Sequence, residues 1–169
     1  MVWGGLPGDR RFLAVGGYGG GIFTDYFGMY STDGVIWQPR DIPGGNWQSV
    51  AWGDPAGQEK YVAVSSSGTG ERVMTSPDGI TWTSQTSAAD NEWRSVTWGG
   101  PAGQEKFVAV SSSGTGDRVM TSPDGVTWTI RNSAADNDWR SVAWGGAAGQ
   151  EKYVAVASTG TGDRVMVSG

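Results

Sequence analysis

A repeat of 46 residues constrains this chain more than any other feature. Residues 47–92 laid on 93–138 without a gap agree at 36 of 46 positions. The differences are mild, such as Tyr61 for Phe107, Glu71 for Asp117 and Ile80 for Val126. A unit of this length cannot bury its apolar residues alone. Neighbouring units must stack and share a core, which points to a propeller or solenoid array.

Within the third copy, residues 93–98 alternate as a strand, with Trp93, Ser95 and Thr97 on one face and Arg94, Val96 and Trp98 on the other. Gly99-Gly100-Pro101-Ala102-Gly103 breaks it. Phe107-Val108-Ala109-Val110 is an unbroken apolar run, the mark of a strand covered on both faces. Ser113-Gly114-Thr115-Gly116 turns the chain into residues 118–122. Pro123-Asp124-Gly125 then makes a tight hairpin, and residues 126–130 are the fourth run, with Val126, Trp128 and Ile130 on one face. Four antiparallel strands in a unit of this length describe a propeller blade.

The predicted fold is therefore all-β, a β-propeller of about four blades at 1–46, 47–92, 93–138 and 139–169. In the first blade the strands are expected at 2–4, 11–16, 28–32 and 35–37. The last blade offers strands through 152–157 and 163–167 but no fourth, so the strand count is four, four, four and three. Its outer strand carries Val165 and Val167 on an unpaired edge, a template for another chain. All ten Trp fall on three positions of the unit. Trp47, Trp93 and Trp139 begin the first strand, Trp3, Trp52, Trp98 and Trp144 end it, and Trp37, Trp82 and Trp128 lie in the fourth. Indoles at matching places in successive blades are expected to mortar the blades together.

Composition narrows the chemistry. With 12 basic against 17 acidic residues the net charge is −5, and no basic stripe exists to meet phosphates, so nucleic acid is not an expected partner. The chain contains no Cys and no His. That removes the usual ligands of zinc, copper and iron and the usual neutral-pH acid–base group. The acidic loops lack the clustered oxygens of a calcium site, and neither a metal nor a cofactor is expected. No run of about 18 apolar residues suggests membrane insertion. No secretory signal is visible at residues 1–10, and an extracellular or virion-associated setting is favoured over a cytoplasmic one.

The hairpins Ser31-Thr-Asp33-Gly-Val-Ile-Trp37, Ser76-Pro-Asp78-Gly-Ile-Thr-Trp82 and Ser122-Pro-Asp124-Gly-Val-Thr-Trp128 resemble the Asp-box of sialidase-like (BNR) propellers. They are one residue shorter between Asp and Gly than that family's Ser-x-Asp-x-Gly-x-Thr-Trp. The resemblance implies a structural turn between the third and fourth strands, away from any active site. Sialidases of that family join an arginine triad, a Tyr/Glu pair and an acidic donor on one face. Here Arg72, Arg118 and Arg164 are repeat equivalents, and Asp90 with Glu92 recurs as Asp136 with Asp138. A catalytic centre needs unlike residues at one point, so glycoside hydrolysis is not expected.

Repetition suits multivalent binding. The loops entering each first strand and the loops before Arg72, Arg118 and Arg164 should share one face. Trp47, Asp90, Asn91, Trp93, Arg118, Asp136, Asn137, Trp139 and Arg164 are the candidates there for stacking on and hydrogen-bonding a carbohydrate. The alternative is a structural protein, a virion, tail or filament component, built by self-association into homo-oligomers. The glycine-rich spacer of the first blade, with Tyr18, Phe23, Tyr26 and Phe27, is its one asymmetric feature and a candidate contact surface, alongside Val165 and Val167.

Overall fold

The structure, a computed structural model, describes residues 1–17, 27–53 and 57–168. They form four antiparallel sheets in chain order. The first holds β1 (Val2–Gly4), β2 (Arg11–Val15), β3 (Phe27–Ser31) and β4 (Gln38–Asp41). The second holds β5 (Trp47–Gly53), β6 (Lys60–Ser65), β7 (Val73–Ser76) and β8 (Thr83–Gln85), and the third β9 (Trp93–Gly99), β10 (Lys106–Ser111), β11 (Val119–Ser122) and β12 (Thr129–Arg131). The fourth has three strands, β13 (Trp139–Gly145), β14 (Lys152–Ala157) and β15 (Val165–Val167). This is the expected propeller-type array of blades, four strands each with a three-stranded last one. Tyr18, Phe23 and Tyr26 lie outside the described residues, and Phe27 opens β3.

Two local expectations are corrected. The fourth strand of each unit starts later than residues 35–37 or 126–130 suggested, at Gln38, Thr83 and Thr129. The cause is the turn. Asp124 Oδ1 accepts the N–H groups of Val126 and Thr127 at 2.8 and 2.7 Å, which removes both donors from the ladder. Asp33 does the same to Val35 and Ile36, and Asp78 to Ile80 and Thr81. Val126 is accordingly exposed, while Trp128 and Ile130 pack inward. The second correction concerns the alternation in β9. Ser95 pairs with Val110 but Trp93 with Ser111, so Arg94 is a bulge. The bulge moves Trp93 off the face of Ser95 and onto that of Val96. β5 and β13 show the same shift before Ser49 and Ser141.

Each sheet thus has two unlike faces. Ala51, Val62, Val64 and Val73 on the forward face of the second sheet pack against Trp93, Val96, Phe107, Ala109 and Met120 on the rear face of the third. Val108 and Val110 pack likewise against Trp139, Val142, Tyr153 and Ala155 of the fourth, and Leu13 of the first packs into the cluster of Trp47, Val50 and Tyr61. A serine hydroxyl crosses each later junction: Val96 N–H donates to Ser49 Oγ (3.2 Å) and Val142 N–H to Ser95 Oγ (3.1 Å).

Candidate functional site

The Ser-x-Asp-Gly turns are a closed hydrogen-bonding unit. Ser31, Ser76 and Ser122 each share a hydrogen bond with the Asp two residues on and accept the following Gly N–H at 2.8 Å. The amides of Ile36 and Val35 hold the Asp33 carboxyl below its ordinary value. At Asp78 and Asp124 burial pushes the other way, but the two backbone donors and the serine outweigh it, and both are lowered. Trp37 and Trp128 donate their indole N–H to the turn glycine's carbonyl. The serine hydroxyl and one carboxylate oxygen of each turn are spent on the turn itself, whereas the Trp82 indole N–H is buried without a partner among the described residues.

The loop edge expected to bind a carbohydrate does assemble, but its residues are committed to one another. Asp90 Oδ1 accepts Gly70 N–H (2.7 Å) within the second sheet, and Asn91 Nδ2 donates to Asp117 O (3.0 Å) in the third. Asp136 and Asn137 repeat this between Gly116 and Asp163. Each Asp-Asn pair is a clip joining adjacent blades. Arg118 donates to Gly114 O and Ser112 O and lies 3.3 Å from Asp138, while Arg164 donates to Gly160 O. Trp47, Trp93 and Trp139 are at most 2% exposed, and their indole N–H groups donate to Pro43 O, Ala89 O and Ala135 O. The stacking role expected of these three is corrected on that ground, since a sugar ring needs an open aromatic face. Sequence reasoning passed over Arg94 and Arg140. Each sits on the bulge beside its Trp, bonded to Ser112 or Ser158 and paired with Glu92 or Asp138. Their signal was recurrence one residue after the repeated Trp.

The two ends of the array are less settled. Trp52, Trp98 and Trp144, at the ends of their first strands, lie on a glycine of the preceding sheet. A Cβ added at Gly4 would come within 2.5 Å of Trp52, at Gly53 within 2.8 Å of Trp98, and at Gly99 within 2.5 Å of Trp144. Gly145 is the next seat in the series, and a Cβ there would meet nothing within 4 Å among the described residues. Trp3 is the matching indole without a seat. It is 46% exposed, yet it is held against Phe12 at 4.5 Å, as Trp52 is against Tyr61, Trp98 against Phe107 and Trp144 against Tyr153. Around them, Met29 on the rear of the first sheet and Val154, Val156, Val165 and Val167 on the front of the fourth are exposed. The residues matching these four valines in the second sheet, Val62, Val64, Val73 and Thr75, are buried. Among the described residues no packing comparable to the other junctions joins the first sheet to the fourth.

Between the third and fourth sheets opens a cleft of about 560 Å³, bordered by β11, β12 and β15. Among the described residues no group of three or more Asp or Glu is placed to hold a metal ion. A scan against protein-family models and a search of curated proteins both find no match for the chain.

Proposed function

We propose that this chain is a non-catalytic structural module that assembles with copies of itself, front face on rear face. The observation that carries the reading is the pair of unsatisfied partners at its ends: Trp3, pre-set but unseated, and Gly145, a seat without an indole. The chain makes this contact three times internally, so a second copy's first sheet is the complement of the fourth. Ser141, the hydroxyl equivalent to Ser49 and Ser95, is exposed there as well. Such a front-to-rear contact is heterologous. It closes into a ring if its rotation allows and otherwise runs on as a filament.

The magnitude is modest. Burying the exposed half of Trp3, Met29, Val154, Val156, Val165 and Val167 contributes about 1 kcal/mol each. Association costs about 4 kcal/mol or more. A single contact is weak, and the mass in solution should rise with concentration from the 17.8 kDa of one chain. The turns, which resemble Asp-boxes, fit this reading as fixed corners of each blade. Carbohydrate recognition loses its stacking platform and would have to rest on the exposed polar rim around Arg140.

Light scattering across a concentration series tests the proposal. Trp3→Ala and Gly145→Leu should each leave a monomer. Mixing the two should restore a heterodimer and nothing larger, because the Gly145→Leu chain keeps its Trp3 and the Trp3→Ala chain keeps its Gly145. A wild-type chain that stays at one mass at every concentration would sink the reading, as would variants that assemble unchanged.

A further inference from the structure

The junction between the first and second sheets is built unlike the next one. At the second junction Val73 and Ile130 close the outer half of an apolar core. The matching positions at the first junction are Gly28 and Ser84, and Tyr30 stands where the second sheet has Thr75. Arg11 takes the place of Lys60 and Lys106, and Arg40 that of Gln85. Two cations gather on one ring as a result. The guanidinium carbons of Arg11 and Arg40 each lie 5.1 Å from the centre of Tyr30. Arg11 is buried and paired with Asp9. Arg40 donates through Nη2 to the Tyr30 hydroxyl (3.1 Å) and has no carboxylate partner among the described residues.

Three buried donors at this junction find no acceptor among the described residues: Arg40 Nε–H, the Tyr61 hydroxyl and the Trp82 indole N–H. Their counterparts elsewhere are satisfied. The Tyr153 phenol donates to Gly99 O and Lys106 O, and Trp37 and Trp128 donate to their turn glycines. Tyr61 is 0% exposed, and burial pushes its phenol up to about 12, so it remains a donor throughout the neutral range. The groups are contiguous. The rings of Tyr61 and Trp82 lie 6.5 Å apart, and Trp82 and Tyr30 both pack on the cluster that holds Tyr61. A Cβ added at Gly79 would meet Tyr61 at 3.2 Å and Arg11 at 3.6 Å. The carboxylates nearby are committed, Asp9 to Arg11 and Asp78 to the amides of Ile80 and Thr81. Among the described residues no buried acceptor is left over there to answer the three donors.

We infer that the first junction binds one small inorganic anion, of the size and charge of chloride, held by the Tyr61 hydroxyl, the Trp82 indole N–H and the guanidinium of Arg40. Buried donors demand an acceptor, and the cation without a carboxylate partner sets the sign of its charge. The close packing around Gly79 and the two carboxylates nearby favour a monovalent, monatomic ion over phosphate or sulfate. The ion does for the first junction what Val73 and Ile130 do for the second: it joins two sheets across their outer half.

The probe is chloride itself, with gluconate as the control anion at constant ionic strength. Thermal melts are run on full-length Trp3→Ala chain, so that front-to-rear assembly does not enter and failure here is distinct from failure there. Raising chloride from about 1 to about 100 mM should raise the midpoint by about 4 °C, the shift given by a site half-filled near about 10 mM. Tyr61→Phe, which installs the residue found at Phe107, and Arg40→Gln, which installs that found at Gln85, should each abolish the chloride response. Tyr153→Phe should keep it, because that phenol has its own acceptors. Crystals grown in bromide should show an anomalous peak between the first and second sheets. Chloride no better than gluconate, an undiminished response in both Tyr61→Phe and Arg40→Gln, or a water in place of the bromide peak would each overturn the inference.

Discussion

The junction between the second and third sheets and that between the third and fourth are built from nearly the same residues, yet only the first is closed. Their inner halves match. Trp93 and Trp139 are both fully buried, and Trp98 and Trp144 both lie on the preceding sheet's glycine. Their outer halves differ by one strand. Where Trp128, just before β12, and Ile130 within it cover the rim, Val73 is 0% exposed; where no such strand stands among the described residues, Val119 is half-buried and a cleft of about 560 Å³ remains. Alignment of one blade on the next is therefore the work of strands near the loop clips. The outer strand completes burial without setting the alignment.

The sharpest way to break the comparison is to place the same charge at equivalent positions on a covered and an uncovered face. Val62 is fully buried against the third sheet, and Val154, 92 residues later, is 38% exposed. Val62→Asp strands an unpaired carboxylate in the core and should cost about 4 kcal/mol or more, enough to unfold a marginal domain. Val154→Asp should change the monomer's unfolding free energy, measured in urea, by less than about 0.5 kcal/mol while abolishing association. Equal destabilisation of the two variants would mean that the fourth sheet's front face is covered within the chain.

A smaller change asks the same question of the glycine seats. Gly53→Ala forces a Cβ against the rings of Phe107 and Trp98, which overpacks a filled junction and should cost about 1–3 kcal/mol. Gly145→Ala meets open space and should leave the monomer within about 0.5 kcal/mol of wild type. Thermal melts of both variants at low protein concentration check this. A destabilised Gly145→Ala monomer would remove the seat from the account.

Much of this fold was legible because a gapless repeat fixes both strand number and blade length, and the strand counts of four, four, four and three follow from it. What the sequence hid were single-residue effects. A bulge at Arg94 carries no composition signal, yet it decides which face Trp93 joins. The Asp124 carboxylate captures two amides and so delays β12, although Val126 and Thr127 are good strand formers. The candidate site was less legible for a related reason. Asp90, Asn91 and Arg118 are the residue types that bind sugars, and equally the types that satisfy loop amides and carbonyls. The partners at 2.7–3.1 Å show that the chain uses them in the second way, and no sequence signal distinguishes the two. The glycine seats could have been found in sequence, because Gly4, Gly53, Gly99 and Gly145 each follow the repeated Trp directly.

The smallest effect separates sheets with the acidic turn from the fourth, which has none among the described residues. Asp78 and Asp124 have folded values below the ordinary 3.8. A depressed carboxyl stabilises the fold fully above its unfolded value, and the contribution is lost as the pH falls through the lower folded one. Asp124→Asn should therefore cost about 1 kcal/mol at pH 7. The gap to wild type should narrow as the pH drops below 3.8, where the wild-type carboxylate also takes up its proton. Amide exchange should place the loss in β11 and β12 and leave β14 and β15 untouched. A gap that stays constant with pH would show that Asp124 acts through shape alone, and a loss spread over all four sheets would show that the blades do not fray independently at their outer strands.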